Sequence, residues 1–158
     1  MKKELININN LSDYLKWKKS NPDISLLDYV CDNLSPDMAI SITKLFYPDF
    51  VLHDGKVLLK DRLEKTNYEE WKKKLSNDQI KIEKMINHIH LQEDLFLGMK
   101  NRLDFKNLKY LANILVSCWT KAVADQVPGR KIKVELYEDK EAEDIILNVY
   151  QESQENGK

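Results

Sequence analysis

From Phe105 to Gln126 the sequence runs without a glycine or a proline, and Val127-Pro128-Gly129 closes the run. Asp104 stands where an N-cap carboxylate belongs, and a Pro-Gly pair just past the end is an ordinary helix stop. At about 1.5 Å per residue such a helix is about 33 Å long, the width of a small domain. Leu108, Leu111, Ala112, Leu115, Cys118, Trp119 and Ala122 recur at helical spacing as one apolar stripe. Ile114, Val116 and Val123 carry apolar surface beyond that stripe. A helix apolar over most of its circumference is covered on more than one side. Residues 105–126 therefore predict a central helix with Leu111, Leu115, Trp119 and Ala122 nearly inaccessible to solvent.

The other elements must arrange themselves around this one. Residues 1–10 are a polar lead-in, and Asn10 or Ser12 can cap a first helix that stops at Asn21-Pro22. A second helix from about Asp23 carries Leu27, Val30, Cys31 and Leu34. A third opens on Ser35-Pro36-Asp37, and its spacing predicts burial of Met38, Ile42, Leu45 and Phe46. The period then changes to two. Asp54-Gly55 sits at the centre of Phe50–Leu59, a strong signal for a two-residue hairpin pairing His53 with Lys56 and Leu52 with Val57. That register puts Phe50, Leu52, Val57 and Leu59 on the core face, and Val51, His53 and Leu58 on the other. Thr66 with Glu69 reads as a capping box for one helix, and Asn77 as the cap of the next. Leu95, Phe96, Leu97 and Met99 look buried. Lys131–Tyr137 alternates strictly, and 145–150 is rich in β-branched and aromatic residues; both predict strands. Residues 151–158 read as a polar tail. The fold expected is α+β in a single domain over 1–158. Strands 50–53, 56–60, 131–137 and 145–150 form one antiparallel four-stranded sheet, with about six helices on one face.

Charge and composition exclude several functions. With a net charge of −1 and lysines interleaved with glutamates, the chain lacks the basic excess that duplex nucleic acid demands. Four glycines, all isolated, rule out a Gly-rich phosphate loop, and no Gly-x-Ser-x-Gly elbow is present. The N-terminus is too polar for a signal peptide and no apolar run reaches membrane-spanning length, so a soluble cytoplasmic protein of bacterial type is expected. Cys31 and Cys118 lie on apolar helical faces and are expected as buried free thiols.

Two stretches could carry chemistry. His88 and His90, followed by Glu93 and Asp94, offer imidazole and carboxylate donors of the kind divalent metals take, which makes His88, His90 and Asp94 an alternative metal set. On a continuous helix residues i and i+2 point apart, so that set needs an extended segment. His53, near Asp49 and Asp54, is an acid–base candidate with no visible nucleophile. No cofactor is expected. The remaining surface is the outer sheet face, where Tyr137, Tyr150, His53, Lys133 and Leu58 mix aromatic, apolar and charged groups. By elimination this reads as a non-catalytic interaction protein (an adaptor, inhibitor or immunity-like partner) that binds a protein or its own copy through that face. The alternatives are a metal-dependent enzyme using His88 and His90, and single-stranded RNA binding on the sheet, which the charge balance disfavours.

Overall fold

The computed structural model describes residues 8–96 and 104–152. Two compact units make up the chain, residues 1–45 and 46–158.

The first unit carries a 3-10 turn at Ile8–Asn10 and three helices, α1 (Ser12–Ser20), α2 (Leu26–Asn33) and α3 (Pro36–Phe46), the last running one residue past the boundary. Asn10 and Ser12 do not cap α1: its N-cap is Leu11, which offers no side-chain acceptor. Ser25 caps α2 in a reciprocal box with Asp28, two residues past the expected start. At α3 the Ser35-Pro36 signal holds, and Ser35 Oγ accepts from Met38 N at 3.2 Å. Tyr14, Trp17 and Tyr29 form an aromatic trio with ring centroids 5.3–6.3 Å apart. Tyr14 is the only buried side chain among the described residues of this unit. The burial expected of Met38 and Ile42 does not occur, and Cys31 is exposed.

The second unit is built on α6 (Phe105–Gln126), the expected central helix, with Asp104 Oδ1 accepting from Lys106 N. Leu115, Trp119 and Ala122 are buried, whereas Leu111 is half-buried, as is Cys118. The hairpin β1 (Phe50–His53) and β2 (Lys56–Leu59) has the predicted register. Asp54 and Gly55 both take positive φ, as a type I′ turn requires. Its faces differ from expectation. All of β2 is buried, Leu52 is 53% exposed, and Leu58 is fully enclosed with Tyr68, Ile82 and Ile86. Tyr68 belongs to α4 (Lys65–Lys74) and Ile82 and Ile86 to α5 (Gln79–Ile86). Thr66 is already inside α4, which starts from Glu64 with no side-chain cap, and the cap of α5 is Asp78 rather than Asn77.

The four strands do not make one sheet. The hairpin stands as a two-stranded sheet, and a second sheet has the order β3-β5-β4, with β3 (Ile89–His90), β4 (Ile132–Asp139) and β5 (Asp144–Gln151). Side chains of α5 are the reason. Glu83 and Asn87, both fully buried, lie between the outward edge of β2 and the free stretch of β5. Asn87 Oδ1 accepts from Leu59 N at 2.8 Å, while its Nδ2 donates to Val57 O at 2.7 Å and Val149 O at 2.8 Å. Glu83 Oε1 accepts from Val57 N at 2.9 Å and Oε2 from Gln151 N at 2.6 Å. Backbone groups that would have paired strand to strand are satisfied by a helix instead. The helices also occupy both faces of the β4–β5 ribbon. Lys109 of α6 pairs with Glu138, on the face of Val134 and Leu136. Lys84 of α5 reaches Glu135 and Tyr137 on the opposite face.

Beyond β3 the chain makes one wide helical turn, Leu91–Leu95, with Leu95 and Phe96 half-buried; Leu97 and Met99 lie outside the described residues. Gln151, expected to begin the tail, is buried in β5.

Candidate functional site

The face proposed from sequence as a contact surface is largely used by the protein itself. Lys133 pairs with Tyr150 and Tyr137 with Ile146 across β4 and β5, so the expected alternation holds. Lys84 then lies over this face, its Nζ 4.0 Å from the Tyr150 ring centre and 3.2 Å from Tyr137 Oη. Tyr150 is only 9% exposed, while Tyr137 remains 42% exposed and donates its hydroxyl to Glu135. Partial burial works to raise the Glu135 carboxyl, but the bonds from Lys133 and Tyr137 overcome it and hold it at about 2. Two tyrosines, two lysines and one glutamate are thus consumed in an internal network. Leu58 is removed from the surface altogether, and it belongs to the other sheet. A shallow open groove beyond Tyr150 is lined by Arg130, Lys133 and Gln151. Lys131 lines it as well. Arg130 donates to Gly55 O at 3.0 Å and Gln151 Oε1 at 2.6 Å, and Lys133 to Glu135 at 2.6 Å.

His53 stacks edge-on against Tyr68, ring centres 4.5 Å apart. The neighbouring Asp54 carboxylate accepts from Lys72 Nζ at 2.7 Å and Tyr68 Oη at 3.1 Å, which lowers its affinity for a proton. Burial, helped by Asp54, pushes the Tyr68 phenol up to about 12. Here a hairpin turn is tied to α4, and among the described residues His53 makes a ring contact with Tyr68.

The His88–Asp94 stretch is extended where the metal reading needs it to be, and it changes membership. His88 Nδ1 donates to Met85 O at 2.6 Å, and its ring meets the His90 ring edge-on, centres 5.4 Å apart. Asp94 is engaged elsewhere, accepting from His90 N at 2.9 Å and pairing with Arg62 at 2.7 Å. The partner of His90 is Asp144, fifty-four residues on, with Nδ1 3.0 Å from Oδ2. Asp144 is 1% exposed, and its other oxygen accepts from Gln92 N at 2.9 Å and Ile145 N at 2.7 Å. Glu93 completes the group from the wide turn. Pairing of β3 with β5, His90 opposite Ile146, is what delivers Asp144 to His90. No local motif signals it, because the two segments are separated by the whole of α6 and β4.

The first unit holds the most conspicuous apolar surface. Helices α2 and α3 bury none of their residues. Leu27 is 70% exposed, Ile40 69% and Met38 53%, with Val30 and Ile42 also exposed. The same segment, Leu26 to Phe46, carries Asp28, Asp32 and Asp37 and a single basic residue, Lys44.

No family model, curated protein or solved structure matches the chain. Among the described residues no helix is long and apolar enough to cross a membrane.

Proposed function

We propose that this is a protein-interaction module whose contact surface is built from the exposed apolar side chains of α2 and α3, not the outer face of the β4–β5 ribbon. One observation carries the reading: two helices expose Leu27, Val30, Met38, Ile40 and Ile42 and bury none of their residues. Large apolar side chains left exposed on neighbouring segments of one chain are characteristic of partner-binding surfaces. At about 25 cal/mol per Å², covering five such side chains supplies several kcal/mol toward association. The partner's chemistry follows from the charges of the same segment. Three carboxylates against one ammonium favour an apolar helix with basic flanks, and two copies of the same surface would bring like charges together. Nothing in this reading needs catalysis.

The probe is a labelled amphipathic Leu/Lys helix, with its Leu/Glu counterpart as control, followed by fluorescence anisotropy against the full chain. The Leu/Lys helix should bind, more weakly as salt rises, and Leu27→Ser with Ile40→Ser should abolish binding while circular dichroism stays unchanged. Equal binding of both helices, or binding that survives the double substitution, refutes the assignment. Analytical ultracentrifugation of the chain alone decides the remaining occupant: a dimer lost in the double variant would show that the surface covers its own copy.

A further inference from the structure

Independently of that surface, we propose that His90, Glu93 and Asp144 form a binding site for a divalent transition-metal ion. A ring nitrogen of His90 and one carboxylate oxygen each from Glu93 and Asp144 all lie within 4.8 Å of one another. The separation of His90 Nδ1 from Asp144 Oδ2, 3.0 Å, is a few tenths of an ångström short of the roughly 3.4 Å between two donors on a tetrahedral ion with bonds of about 2.1 Å. Asp144 is built as a preset ligand. Two backbone N–H groups hold Oδ1, which fixes the carboxylate plane and leaves Oδ2 directed at His90. Burial keeps this oxygen from wandering, while the other two donors are reachable: the His90 side chain is 34% exposed and Glu93 is exposed.

The donor set selects the ion. One imidazole nitrogen with two carboxylate oxygens suits zinc, manganese or nickel, whereas soft thiolate sites take copper(I) and all-oxygen cages take calcium. Charge balance agrees, since Glu93 and Asp144 together neutralise a divalent cation. Asp94 takes no part, because Arg62 and His90 N already occupy it. An ion entering between Nδ1 and Oδ2 takes the place of the proton on Nδ1, and the neutral imidazole then carries its proton on Nε2. Three protein donors on an exposed rim leave a position for water, as in metal sites that keep an open coordination place.

The test uses the full chain, purified metal-free, with zinc, manganese and magnesium chlorides as probes in isothermal titration calorimetry and thermal melting. Zinc should bind one per chain and raise Tm by mass action, and magnesium should do neither. Glu93→Gln, at an exposed position that leaves the fold untouched, should weaken zinc by at least about tenfold. His90→Gln should remove binding, and His88→Gln, outside the donor set, should bind as the parent does. No one-to-one binding below about 100 µM, or equal affinity in the parent, Glu93→Gln and His90→Gln chains, overturns the proposal. So does loss of binding in His88→Gln with retention in Glu93→Gln, because it moves the donor set.

Discussion

Replacing Asn87 with alanine should be among the most damaging single changes to the second unit, although it deletes only a small polar group. The Asn87 side chain is fully buried and satisfies three backbone groups, Leu59 N, Val57 O and Val149 O, at 2.7–2.8 Å. In alanine these three face a void. Each buried group left without a partner costs about 1–3 kcal/mol, so the loss should be about 3–9 kcal/mol. That is a large part of the roughly 5–15 kcal/mol that holds a domain of this size together. Urea unfolding followed by tryptophan fluorescence, to which Trp71 and Trp119 of this unit contribute beside Trp17 of the first, measures it. Asn113→Ala is the matched control, since its side chain donates to Lys109 O on the exposed face of α6 and should change stability by less than about 0.5 kcal/mol. If Asn87→Ala loses under about 1 kcal/mol, water has replaced the side chain, and the account of why the two sheets remain separate fails. A thermal shift offers a second reading: at several degrees per kcal/mol, Tm should fall by more than about 10 °C.

Two further outcomes are expected. Leu115→Ala, at a position with no exposure on α6, should cost about 2–5 kcal/mol in the same urea assay, and Leu111→Ala, half-buried, clearly less; equal losses would mean the central stripe is centred elsewhere. Glu135 has its folded-state proton affinity depressed, to about 2 from an ordinary 4.5, so the stability it contributes is complete above that ordinary value and is lost as pH falls toward 2. Glu135→Gln should therefore flatten the decline of stability with acid over that window, and an unchanged slope in denaturant titrations at stepped pH would refute the network around Tyr137 and Lys133.

Local signals in the chain were enough for many features whose cause is local, but they misplaced the caps of α1, α4 and α5. The span of α6, its Asp104 cap, the type I′ turn at Asp54-Gly55 and its two-residue register, the Ser35-Pro36 helix start and the strands 131–137 and 145–150 all follow from backbone propensity and short-range hydrogen bonding. Even the extended path at His88–His90 was posed as a condition for metal binding. Tertiary structure decided the rest. Binary patterning says which residues of β2 alternate, but not that α4 and α5 enclose the side bearing Leu58. Nor does it say that an Asn and a Glu from α5 will satisfy the edges of β2 and β5, since a polar residue on a helix reads as solvent-facing until its partners are known. The same limit hid Asp144: its pairing with His90 depends on β3 joining β5, a contact with no sequence-local cost or gain to betray it. For α2 and α3 the failure runs the other way. Their apolar spacing is that of core helices, and periodicity alone cannot tell a side chain that meets its own protein from one left for a partner, because the same hydrophobic free energy drives both.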